Sequence, residues 1–137
     1  HIFSVDDLEY LFRGGRVDRI SSFVGTLLNV KPILNVKEGC MIPIEKVRGK
    51  AKAMNRIVEL MAERGSNLQE QIIAINHADD LQSALKLKAM IEERFSSSNF
   101  VINTVGCVLG SHIGIGGVAA FFLNKDYYRL NEADCSS

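Results

Sequence analysis

Few cysteines, no excess of one charge sign and no long apolar run: each shortage in this sequence closes off a class of function. Three cysteines, Cys40, Cys107 and Cys135, occur in 137 residues. An odd, scattered set is not a disulfide framework and points to a reducing compartment. None has a CxxC-type neighbour, so a zinc-binding framework is not expected. Cys40 and Cys107 fall in stretches that read as strands, where cysteine serves more often as a small buried hydrophobe than as a nucleophile. No apolar run approaches the roughly 18 residues that span a bilayer, so no integral membrane segment is expected. His1 to Ser4 lack the basic start and cleavage site of a signal peptide, which together with the cysteine reading predicts a cytoplasmic location. The sequence also begins without Met, and we expect it to be cut from a longer chain.

What is present suits one globular domain over residues 1–137, with 47% hydrophobic and 23% charged residues. Net charge is zero, yet residues 13–56 carry ten Lys or Arg against Asp18, Glu38 and Glu45. That local balance of +7, offset by −7 elsewhere, suits either an anionic partner or a solvated face.

The apolar pattern predicts a first helix from Ser4 to about Arg13, stopped at Gly14 and Gly15, with Ser4 capping it. A second helix is expected from Ser21 or Ser22 through Val30. Pro32 forces extended chain, and Ile33 to Val36 with Cys40 to Val47 read as a β-hairpin. Helical spacing runs from about Arg48 to Arg64, with Ala51, Met54, Ile57, Val58 and Met61 on one side. A short strand spans Gln71 to His77, then Asp79 or Asp80 caps a helix to Phe95 that turns Leu81, Ala84, Leu85, Leu87 and Ile91 inward. Phe100 to Val108 reads as a strand, Leu109 to Gly117 as a glycine-rich turn, and Val118 to Leu123 as a last strand. The expected class is α+β: a mixed sheet of about five strands with helices packed against it.

Two glycine-flanked polar residues attract chemical interest. Gly110, Gly114, Gly116 and Gly117 surround Ser111 and His112, so the turn could approach a ligand closely and aim successive N–H groups at an anion. The plainer reading is a tight connection with His112 exposed by accident. Arg16 follows Gly14-Gly15, where its guanidinium could fork onto a carboxylate or phosphate, or merely pair with Asp18. Arg48, near a helix start, opposes the helix dipole and needs another reason to be there, either docking or plain solvation. His77 reads as a satisfied histidine beside a helix cap rather than a ligand.

Several chemistries are excluded. The near-match of Gly114, Gly116 and Gly117 to a dinucleotide fingerprint lacks the following long helix and distal acid, so no cofactor is expected. There is no HxxxH, HExxH or GxSxG. Helices at 4–13 and 21–30 could suggest a helix-turn-helix, but Phe23, Val24, Leu27 and Leu28 leave little polar reading face, and no nucleic acid is expected. An enzyme using His112 as acid–base over an anion-binding turn stays as the alternative, weakened because no second group is spaced to orient the ring.

Five segments in order carry a resemblance: Phe3 to Arg16 (FSVDDLEYLFRGGR), Leu28 to Leu34 (LNVKPIL), Lys46 to Gly49 (KVRG), Ile75 to Ala78 (INHA) and Gly110 to Gly117 (GSHIGIGG). Together they resemble the DegV family of fatty-acid-binding proteins, from about Phe3 to Asn124. The resemblance implies the carboxy-terminal domain of a two-domain protein whose amino-terminal domain is missing here. It implies a long-chain fatty acid held between the domains and a dihydroxyacetone-kinase-like fatty-acid kinase subunit as partner. That partner would phosphorylate the presented carboxylate, so the chain itself would be no enzyme. It further implies that Arg16, His112 and Ser111 belong to the head-group network, that Arg48 helps dock the kinase, and that the direct carboxylate-binding hydroxyls lie in the other domain. Ile115 stands where many members have proline.

Overall fold

The computed structural model describes residues 1–13, 29–37 and 40–125. Six strands form one sheet: β1 (Ile2–Ser4), β2 (Val30–Lys37), β3 (Cys40–Arg48), β4 (Ile72–His77), β5 (Asn99–Thr104) and β6 (Val118–Phe121). Four helices are present among the described residues: α1 (Leu8–Arg13), α2 (Lys50–Arg64), α3 (Leu81–Phe95) and α4 (Cys107–Ile113). The strand order is β3-β2-β1-β6-β4-β5. Only β4 and β5 pair in parallel; every other pairing is antiparallel. The architecture is therefore α+β with a mixed sheet, as the pattern predicted.

Alternation along the strands sends neighbouring side chains to opposite faces. On one face Ile2, Ile33, Ile73, Ile75, Val118 and Ala120 pack under α2 and α3, which contribute Met54, Ile57, Met61, Leu87 and Ile91 among others. On the other, Phe3, Val5, Leu11, Leu34, Ala78 and Ile113 form a smaller cluster beneath α1 and α4. Pro43 is tolerated because β3 is an edge strand and the pairing shifts register beside it, between Ile33 and Leu34.

Several expectations need correction. The sheet has six strands rather than five, because Ile2–Ser4 is a central strand between β2 and β6. Ser4 therefore does not begin a helix. Asp7 caps α1 instead, its carboxylate accepting the Glu9 N–H at 2.8 Å. Burial on both faces outweighed the helical spacing of Val5, Leu8 and Leu11. Val30, expected to end a helix, opens β2, and Asn29 before it is a turn residue at φ 67; the rest of that predicted helix, up to residue 28, lies outside the described residues.

The strand expected from Phe100 to Val108 stops at Thr104, and Cys107–Ile113 is helical. A short apolar run fits either element, and extended Gly106 marks the change. The supposed glycine turn is thus a helix followed by a short loop. Cys107 is exposed, not buried. Leu81 and Leu85 lie about half exposed on α3 (52% and 50%), and Ala51 is exposed on α2.

Candidate functional site

One end of the sheet gathers most of the polar residues that could carry chemistry. Ser4 and His77 both lie opposite Val118, which places the C-terminal ends of β1 and β4 and the start of β6 together. Ser4 also faces Ile33 near the start of β2, and Val30 faces Arg48 at the end of β3. The loops leaving this end lead into α1, α2, α3 and α4.

Lys50 sits at the centre. Gly49, at φ 86, turns the chain out of β3 in a conformation that favours glycine, and Lys50 opens α2. Its Nζ donates to Asp6 Oδ2 at 3.0 Å, to the Gly116 carbonyl at 3.0 Å and to Asp80 Oδ2. Burial works against its charge, but the hydrogen bonds to Asp80 and Asp6 outweigh it and hold the ammonium above the ordinary lysine range. Asp80 caps α3, accepting the Ser83 N–H at 3.0 Å and the Ser83 hydroxyl at 2.8 Å. Burial alone would raise its pKa, yet Lys50 and Ser83 bring it down to about 2. Lys31 Nζ lies 3.3 Å from Asp6 Oδ1 and donates to the Asp6 carbonyl at 2.7 Å.

His77 behaves as the satisfied histidine expected: it is buried, and its Nδ1 accepts the Asp80 N–H at 3.2 Å. That assigns the proton to Nε2 on the neutral ring.

The glycines are used differently from one another. Gly114 and Gly116 take positive φ of 70° and 89°, and a Cβ on either would overlap the Tyr10 ring or the Asp6 carboxylate. Gly110 lies inside α4 with open space around it. The Gly110 N–H bonds Gly106 O at 2.8 Å, Gly114 N–H bonds Gly110 O at 2.9 Å, and Gly116 N–H bonds Ala78 O at 2.7 Å. The expected anion nest of Gly110, Gly114, Gly116 and Gly117 is corrected accordingly: three of its four N–H groups are occupied within the chain. The Gly117 carbonyl accepts the Ala78 N–H at 2.9 Å, which ties this loop to the end of β4.

His112 lies half-buried in the last turn of α4, and its ring makes no hydrogen bond to another described side chain. Ser111 is exposed, and its hydroxyl already donates to Val108 O at 2.7 Å. Arg48 is exposed at the end of edge strand β3. The opposite edge strand, β5, leads into α4, and five strand spacings of about 4.8 Å separate the two edges. Arg48 and His112 thus share an end of the sheet but leave from its opposite edges. Arg16 lies outside the described residues.

Sequence reasoning missed Lys50, Asp6 and Asp80 as a group. The misfit of a cation at a helix start was assigned to Arg48, but α2 begins at Lys50. Part of the basic block is likewise spent internally: Arg56 grips Glu45 through Nε and Nη2 at 2.7–2.9 Å and also bonds Glu59 and Glu63. A separate cleft of about 440 Å³ lies at the other end of the sheet between Ile2, Val36, Arg64 and Phe122. None of the described site residues, His112, Ser111, Arg48 and the four glycines, lines it. Among the described residues no helix is long and apolar enough to cross a membrane.

Comparison with known proteins agrees with this architecture. A DegV domain-containing protein of Halalkalibacterium halodurans is 40% identical over 125 residues, covering 90% of this chain and 44% of the relative. The structure of DegV from Bacillus subtilis, described as a fatty acid binding protein, is 36% identical with a TM-score of 0.70, covering 89% of this chain and 44% of that one. A fatty acid binding DegV family protein from Streptococcus agalactiae is 32% identical with a TM-score of 0.73, covering 87% and 42%. The chain spans less than half the length of these relatives. Residues 1–125 match the family described as uncharacterised protein, DegV family. This chain belongs to the DegV family.

Proposed function

We propose that this chain is the carboxy-terminal domain of a two-domain protein that binds a long-chain fatty acid, with the carboxylate held at the sheet end beside His112. The observation that carries the reading is the half-buried His112 ring at the loop end of the sheet, which has no side-chain hydrogen-bond partner among the described residues, in a chain similar to two fatty acid binding structures. An acyl chain needs a wide apolar lining, since each buried methylene contributes about 0.8 kcal/mol. The carboxylate needs donors, because an unpaired buried anion is costly. His112 supplies one donor, Arg16 a second through its fork of N–H groups, and Ser111 a third once it releases Val108. The remaining contacts belong to the amino-terminal domain.

Binding rather than catalysis is the role assigned. His112 lacks a hydrogen-bonded side chain among the described residues that would orient it as a general base. The chemistry is left to a dihydroxyacetone-kinase-like partner in the cytoplasm, which docks through exposed Arg48 and phosphorylates the presented carboxylate.

Native mass spectrometry of the two-domain protein expressed in bacteria tests the reading. A co-purified long-chain fatty acid is expected, and His112→Ala should weaken oleate binding by about tenfold, the loss of one charge-assisted hydrogen bond. A protein free of lipid that also ignores added oleate would rule the proposal out.

A further inference from the structure

We infer that Lys50 is a positioning residue of the carboxylate site: it holds the Gly114–Gly117 loop and, through it, the ring of His112. The inference rests on the fatty-acid reading above and adds to it a residue that touches no ligand.

One ammonium joins three stretches far apart in sequence. Lys50 Nζ bonds Asp6 in the loop after β1, Asp80 at the cap of α3 and the carbonyl of Gly116. An ammonium has three donors, and all three are used. Gly116 is held from both sides, its carbonyl by Lys50 at 3.0 Å and its N–H by the Ala78 carbonyl at 2.7 Å. Its missing Cβ leaves room for the Asp6 carboxylate that Lys50 also bonds, so loop and clamp fit only together. Two residues earlier the Gly114 N–H bonds the Gly110 carbonyl and closes the last turn of α4, the turn that carries His112. A shift at Gly116 therefore reorients the end of α4.

The clamp is also partly sheltered. The Lys50, Asp6 and Asp80 side chains are 27%, 31% and 23% exposed, so their attractions are screened less than those of open surface pairs. Removing the cation would leave Asp6 and Asp80 facing each other with Lys31 on the far oxygen of Asp6.

The test compares wild type, Lys50→Met and Lys50→Arg by two readouts: NMR resonances of the Gly116 amide and the His112 ring in this chain, and oleate affinity in the two-domain protein. Lys50→Met is expected to shift both resonances and weaken oleate binding by about tenfold, with Lys50→Arg restoring most of both. Unchanged resonances, or shifted resonances with unchanged affinity, would overturn the inference, since Lys50 would then be a structural tie alone. Should Lys50→Met not fold, the same readouts on Asp6→Asn, which weakens one arm of the clamp, decide by the same criteria. Wild-type protein that takes up no oleate would overturn the functional reading, and the head-group role of Lys50 with it. The wild-type measurement alone tells that result apart from the others.

Discussion

Under α2 and α3 the sheet is covered by Ile, Leu, Met and Val side chains that are almost wholly removed from water, whereas its loop end is held by Lys50, two carboxylates and a pair of glycines at positive φ. The first region gains stability from area, without much regard to direction. The second depends on individual donors meeting individual acceptors. The difference explains why one region can serve as a scaffold and the other can be tuned to a ligand. Repacking changes a core by degrees, while losing one partner of a sheltered ion pair leaves the other uncompensated.

The comparison predicts its largest effect in the scaffold. Ile75 is fully buried in β4 at the centre of the larger cluster. Ile75→Ala should lower unfolding free energy by about 3 kcal/mol, from lost burial plus the cavity left behind. Urea denaturation at neutral pH measures it. A loss near zero would mean that this face is far less tightly packed than its burial indicates.

At the loop end, Gly114→Ala should be nearly as damaging. At φ 70 any side chain is strained, and the new methyl would meet the Tyr10 ring. A loss of about 2 kcal/mol is expected in the same urea experiment. Because Tyr10 would have to move, the aromatic signal of its ring should change as well. A stable variant with an unmoved Tyr10 would show that the loop bends freely.

A smaller effect, with a pH signature, belongs to Asp80. Its carboxyl is held at about 2, below the ordinary 3.8, so it contributes stability that is present above pH 4 and lost as pH falls towards 2. Asp80→Asn keeps a good capping residue but removes the charge that faces Lys50. We expect it to cost roughly 1–2 kcal/mol at pH 7, with the gap to wild type closing between about pH 4 and pH 2. Lys50 has the opposite sign: its pKa is raised, so its contribution is complete below the ordinary lysine value and fades only as pH climbs past it. Unfolding measured from pH 2 to pH 7 tests the pair, and a pH-independent gap would detach Asp80 from Lys50.

The same contrast governs how much the sequence revealed. Helices α2 and α3 and the β2–β3 hairpin were legible because each has a periodic pattern and a Gly or Asp at its boundary, and strand β4 because its short apolar run stands between two such boundaries, Gly65 before it and Asp79-Asp80 after it. Strand β1 was not, because Ile2–Ser4 is too short to show a period and its pairing partners lie about 30 and 115 residues away. Helix α4 was hidden by its glycines, which look like a turn until Gly110 is seen within the helix. His112 could be singled out by its flanking glycines. Lys50 could not: a lysine in a basic stretch reads as a solvated charge, and its three partners are 30, 44 and 66 residues distant.

Gly110→Ala is the smallest expected effect and the sharpest separation of two glycines four residues apart. Both belong to the same GSHIG segment, and by sequence they are equivalent. In the structure Gly110 is inside α4, its φ is not positive and a Cβ would touch nothing within 4 Å. Alanine there should reduce the freedom of the unfolded chain and favour the helix, raising stability by about 0.5–1 kcal/mol. Gly114→Ala should move stability the other way, so the two variants differ in sign and not only in size. The opposite signs would establish α4 as a helix in solution, with its last turn, and His112 on it, set by Gly114. A destabilised Gly110→Ala would restore the segment to an open glycine turn, and with it the possibility of N–H groups free to meet an anion.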